Sequence, residues 1–176
     1  MSSMSLSFFM PVVLLALAAC GSPPPIHTAT AVDLERFMGD WYVIANIPTF
    51  IETNAYNAIE SYRMAQDGTV ATTFSFREGG FEGERKTYHP TGYIIDRQSN
   101  AVWGMQFIWP IKSDYRIISV NDAYDQTIIG RIHRDYVWLM ARTPQISEAD
   151  YQGFLQLITE EGYDVSKVRK VPQQWN

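Results

Sequence analysis

"YVWLMAR", residues 136–142, is apolar on both parities: Val137, Leu139 and Ala141 share one, and Tyr136, Trp138 and Met140 share the other. Successive side chains of a strand point to opposite faces, so a strand of this composition must be covered on both. A cover for one face follows directly in the chain. Ser147-Glu148-Ala149-Asp150 fits a capping box, and Tyr151, Phe154, Leu155 and Ile158 recur at helical spacing until Gly162. With that helix outside, Tyr136, Trp138 and Met140 face the interior of a sheet.

Upstream, the sheet is legible as seven further runs rich in β-branched and aromatic residues. They are "WYVIANI" (41–47), "YNAIESYRMA" (56–65), "TVATTFSF" (69–76), "RKTYHPTGYIID" (85–96), "AVWGMQFIW" (101–109), "YRIISV" (115–120) and "QTIIGRI" (126–132). Asp67-Gly68, Gly79-Gly80 and the polar stretch 97–100 supply turns between them, and Pro90 marks an edge or a bulge. No helical pattern intervenes. An even number of hairpin-linked strands removes its exposed edges by closing on itself. The predicted fold is therefore all-β, an eight-stranded antiparallel up-and-down β-barrel with a C-terminal α-helix packed outside. A helical turn over 33–39 that stops at Gly39 precedes the first strand, and 165–171 reads as a weak ninth strand or an extended tail.

The N-terminal part is of another kind. Leu6 to Ala19 is almost wholly apolar, too short to span a bilayer as an ordinary helix and suited to the h-region of a secretory signal. Cys20, the single cysteine, follows at once, and Gly21-Ser22-Pro23-Pro24-Pro25 reads as an extended tether. The division expected is 1–19 signal peptide, 20–32 modified cysteine and tether, 33–176 barrel domain. With one cysteine no internal disulfide can form, so the core holds the fold by itself. Composition permits it, at 46% hydrophobic and 14% aromatic residues. The net charge of -5 makes nucleic acid and anionic surfaces poor partners.

"GDWYVIA" (39–45) resembles the Gly-x-Trp signature that opens the lipocalin barrel. "RDYVWLMARTP" (134–144) resembles the last strand of the bacterial lipoprotein lipocalins, relatives of apolipoprotein D and the plant temperature-induced lipocalins. The resemblance covers most of residues 33–172, including "EGYDVSKV" (161–168). One motif departs from the pattern: the loop usually reading Thr-Asp-Tyr is Asp122-Ala123-Tyr124, so only the tyrosine carries over. Leu17-Ala18-Ala19-Cys20 resembles a lipobox, which implies a lipid on Cys20. Gly21, where an Asp would signal otherwise, implies a lipid-anchored, periplasm-facing protein of the outer membrane. The other reading is a plain signal peptide with an incidental cysteine. The resemblance also implies that Trp41 and Arg142 stack at the closed end of the barrel, as a plug with no catalytic part.

An eight-stranded barrel of this kind holds one small ligand, so function is expected on the inward parity. Anchored on Arg142, Tyr136, Trp138 and Met140 point inward, and alternation places Trp103, Met105 and Phe107 and then Phe74 and Phe76 with them. In the second strand the resemblance puts Ala58, Glu60, Tyr62 and Met64 inward. A lining of this type suits a flexible hydrocarbon chain. Glu60 stands out, because a carboxylate in an apolar cup is costly unless paired, hydrogen-bonded or protonated. Either it selects a cationic or hydroxyl head, or a bulge turns it out to solvent.

A bilayer offers a two-chain lipid the same hydrocarbon environment as a cup, but it holds one-chain amphiphiles only marginally. Fatty acids such as palmitate and lysophospholipids are the expected cargo, bound or transported in membrane maintenance or stress. No enzyme, metal or cofactor is expected. His27, His89 and His133 are not at metal-ligand spacing, no Gly-x-Ser-x-Gly elbow occurs, and "HRD" (133–135) lacks every other kinase element. A ligand-free envelope scaffold and a lipid-modifying hydrolase are the alternatives. The loop 106–115 is read as a lid or a membrane-touching segment, and a homodimer through Phe50, Tyr56, Trp109 or Ile111 is a further reading.

Overall fold

The computed structural model describes residues 25–175, so the signal segment and Cys20 lie outside the described residues. Strands β1 Gly39–Ile47, β2 Ala55–Met64, β3 Val70–Glu78, β4 Arg85–Tyr88, β5 Thr91–Asp96, β6 Val102–Ile108, β7 Ile111–Val120, β8 Gln126–Gly130 and β9 Val137–Ala141 pair antiparallel in chain order. β1 pairs with β2 on one side and β9 on the other, which closes the sheet. β4 and β5 are two halves of one stave. The break falls at His89-Pro90, because proline has no N–H to give the ladder. β4 pairs with one end of β3, while β5 pairs with its other end and with β6. Counted so, the barrel has eight staves. The tail read as a weak ninth strand is a 3-10 turn, Val165–Lys167, and a two-residue strand β10, Arg169–Lys170, laid on β1.

The stretch 106–115 is not a loop. β6 runs to Ile108 and β7 starts at Ile111, so Trp109-Pro110 is the tip of a continuous hairpin with Ile108 opposite Ile111. The polar residues Lys112, Ser113 and Asp114 masked a strand that the apolar run 115–120 only finishes.

Two short segments fix the ends. Helix α1, Leu34–Phe37, is capped by Asp33, whose carboxylate accepts from the Glu35 and Arg36 amides at 3.0 and 3.2 Å. It drops Phe37 into the barrel against Trp41, Tyr62 and Trp103, with ring centroids 5.2, 5.5 and 5.8 Å away. The chain then reverses at Gly39, where φ is +98°, a conformation that other residues rarely take. Helix α2, Glu148–Glu160, starts at Ser147, whose Oγ accepts from the Asp150 amide at 3.0 Å. Its Tyr151 and Ile158 cover Ile44, Ile128, Val137 and Leu139 on the outer face of β1, β8 and β9. That outer layer and the inner one around Trp41, Trp103 and Met140 are separate apolar clusters. Among the described residues, the two clusters draw on positions from Ile26 to Val171.

Candidate functional site

The closed end is built around Arg142. Its guanidinium lies 3.7 Å over the Trp41 ring and donates to the Asp40, Arg36, Phe37 and Met38 carbonyls at 2.7, 2.8, 3.1 and 2.8 Å. Its Nε also donates to the Tyr124 carbonyl at 3.2 Å. Burial, the largest influence, lowers its pKa. In the departed loop motif the tyrosine still works structurally. The Tyr124 hydroxyl accepts from the Asp33 amide at 2.8 Å and Arg36 lies 4.2 Å over its ring.

Above this plug the barrel is hollow. A cavity of about 470 Å³ opens at the opposite end, within the usual range for small-molecule sites. Of the twelve residues expected to line it, Glu60, Phe74, Met105, Phe107, Tyr136 and Trp138 are on its wall. Ala58, Tyr62, Phe76, Trp103 and Met140 point inward but belong to the packed layer of the inner core. Met64 does neither. It sits 38% exposed where β2 overruns the barrel floor opposite Val70, so its inward parity has no interior to meet.

Glu60 faces inward, which removes the reading in which a bulge turns it to solvent. β2 does carry a bulge, between Tyr56 and Ile59 with Asn57 at φ 48°, but it lies before Glu60 and leaves the later alternation intact. Glu60 is 7% exposed. Burial first, and then the nearby Glu52, push its pKa up to about 8, against a lowering hydrogen bond from Tyr62. The Tyr62 and Tyr115 hydroxyls hydrogen-bond to each other beneath it, and burial raises both well above the ordinary phenol value.

Several wall residues were out of reach of strand periodicity. Glu52 comes from the β1–β2 connection, where no period applies, and folds into the barrel at 3% exposure. Its carboxylate accepts from the Thr49 amide and hydroxyl at 3.0 Å and from the Trp138 indole N–H at 3.0 and 3.1 Å. Burial raises its pKa while these bonds oppose the rise. Tyr88 and Tyr115 were findable: each shares a parity with inward neighbours, and Tyr115 alternates with Ile117 against Arg116. Tyr115 stacks between Trp103 and Trp138, at centroid distances of 5.6 and 6.5 Å.

The rim is apolar and bare. Phe50, Ile108, Trp109 and Ile111 are 88, 71, 82 and 66% exposed, from the β1–β2 connection and the β6–β7 hairpin. The described chain also starts at this end. His27 binds Glu161 through its amide at 3.0 Å, and Glu161 gives its carbonyl to Arg134 in the β8–β9 turn, beside the wall residues Arg131 and Tyr136. From there the segment runs down the outside to Val32, whose amide reaches the Ser99 carbonyl at the closed end at 2.7 Å.

A family model described as a lipocalin-like domain matches residues 32–173. Temperature-induced lipocalin-1 of Arabidopsis thaliana is 32% identical over 157 residues, 84% of this chain and 83% of that one. The outer membrane lipoprotein Blc of Escherichia coli (strain K12) is 29% identical over 175 residues, covering 93% and 97% of the two chains. Among solved structures, insecticyanin from the tobacco hornworm Manduca sexta superposes with a TM-score of 0.68 at 14% identity, over 89% and 87% of the chains.

Proposed function

Because this chain belongs to the lipocalin-like family, whose members generally bind small hydrophobic ligands, we propose that it binds and carries one-chain amphiphilic lipids at the bacterial envelope. Fatty acids and lysophospholipids are the class. One observation carries this reading: the upper barrel holds an open cavity of about 470 Å³ walled by Phe74, Met105, Phe107 and Trp138, left unfilled by its own side chains. A lipid with two chains gains nothing by leaving a bilayer for a cup of this size, whereas a one-chain amphiphile is only marginally held there.

Attachment through a lipidated Cys20 completes the proposal, with the protein at the outer membrane and facing the periplasm. Pro25 lies five residues on from Cys20, a reach of at most about 18 Å. The described chain begins at the mouth end, so an anchor there holds the apolar rim against the bilayer, where cargo enters. No catalytic part is proposed for any residue.

Native mass spectrometry tests the cargo. A chain starting at residue 21, mixed with envelope lipid extract, is expected to retain fatty acids or lysophospholipids at one per protein. Recovery of two-chain phospholipids alone overturns the proposal. Labelling of the full-length chain by a fatty-acid precursor, lost in Cys20→Ser, tests the anchor.

A further inference from the structure

The cup holds more acid than a hydrocarbon chain requires. Glu60 and Glu52 both open onto it, 7% and 3% exposed, and neither has an ion-pair partner among the described residues. Glu52 is held by Thr49 and Trp138, as described above. Glu60 has only the Tyr62 hydroxyl, itself engaged with Tyr115. Phe74 stands opposite Glu60 on β3, and the stacked pair Tyr115 and Trp138 completes an aromatic wall. A buried carboxylate lacking a cation is unfavourable, and the faces of tyrosine and tryptophan attract organic cations.

We propose that the floor of the cavity is a recognition site for an organic ammonium group. Glu60, backed by Glu52 and walled by Phe74, Tyr115 and Trp138, takes the amine end of a one-chain amphiphile, whose chain runs past Met105 and Phe107 to the mouth. The inference rests on the cup reading above and adds which end of the cargo enters first and what charge it bears. A fatty-acid anion oriented that way meets two acidic side chains and, among the described residues, no free cation to pair with.

The charged and titratable groups around Glu60 are Glu52 from the β1–β2 connection, Tyr62 from its own strand and Tyr115 from β7. Asp114 and Arg131 line the same cavity, but Asp114 pairs with Arg116 at 3.0 Å and Arg131 with Asp135 at 3.3 Å. Across β1 and β3 Glu60 meets the uncharged Trp41 and Phe74. In the empty cup burial keeps Glu60 protonated at neutral pH. An arriving ammonium ion ionises it, and one proton leaves to solvent for each ligand bound.

Calorimetric titration of the chain from residue 21 with decylammonium, decanol and decanoate at pH 7, below micelle formation, tests this. Decylammonium is expected to bind about tenfold or more tighter than decanol, with decanoate weakest. Titrations in buffers of different ionisation enthalpy should show proton release with decylammonium only. Glu60→Gln, shown to be folded by its melting curve, should bring the ammonium-to-alcohol ratio to within about twofold of one. A ratio near one in the parent protein, or a preference that survives Glu60→Gln, overturns the ammonium site. If decanol or decanoate binds while the ammonium ion has no advantage, this inference alone fails. If none of the three binds, the cup reading fails with it.

Discussion

Arg142 at the closed end and Glu60 at the cavity floor are both ionisable groups set into the barrel, and their surroundings give them opposite consequences. Arg142 satisfies five carbonyls and an indole face at once, so its charge is well compensated. Arg142→Met keeps the stem and removes the donors, leaving carbonyls of the α1 turn unpaired. A loss of about 2–4 kcal/mol is expected in urea unfolding, with decanol affinity unchanged because the residue lies below the cavity floor. Glu60 is the reverse case. Its folded pKa, about 8, stands above the ordinary carboxyl value of 4.5. Between those values the unfolded chain releases a proton that the folded one keeps. Stability on this account falls as pH rises through that window and levels off above pH 8. Glu60→Gln should flatten the slope and stabilise the empty protein on the order of a few kcal/mol at pH 8, with little change at pH 4. Equal slopes in the two proteins would show that Glu60 is not the group responsible.

Among the elements, the β6–β7 hairpin behaves least like an ordinary surface. Exposed aromatic and branched residues at its tip contribute nothing to the barrel's core, so their removal is nearly neutral for folding. Ile108→Ser with Trp109→Ser is expected to shift unfolding by less than about 0.5 kcal/mol and to weaken flotation with phospholipid vesicles several-fold. A dimer in solution that dissociates on the same change would instead assign the rim to a second copy of the chain. The helix α2 belongs to the opposite class. Its start at Ser147 and its stripe of Tyr151 and Ile158 could be read from spacing alone, because cap chemistry and helical period are local properties. Ser147→Ala should cost about 1 kcal/mol through the lost Asp150 amide bond, measured by thermal melting.

For the whole molecule, the barrel divides into a plug and a cup. Phe37, Trp41, Tyr62, Trp103 and Met140 fill the lower part, and the cavity begins only above them. A ligand that binds the folded state alone must raise its stability, by about 2.7 kcal/mol at one hundred times Kd. The melting temperature should therefore rise with the concentration of a one-chain amphiphile, and Met105→Trp, which fills the cavity, should suppress the rise. A rise undiminished in Met105→Trp would place the ligand elsewhere.

Strand alternation, turn chemistry and the helix spacing were enough to determine the eight staves, the outer helix and the inward parity of Phe74, Met105 and Trp138, since each depends on neighbours within a few residues. The hairpin through Trp109 was hidden by polar residues that a protruding tip tolerates. How deep each inward residue sits was also not legible. Depth is set by the tilt of the staves and by α1 dropping Phe37 into the base, so Tyr62 and Phe74 share a parity but not a role. Glu52 was invisible for the same physical reason: it comes from a connection, and only barrel closure brings it beside Trp138 and Glu60. The amino-acid sequence by itself determined which faces turn inward, because pleating is a local geometry; tertiary closure alone decided which of them bound an empty space and which acids meet there.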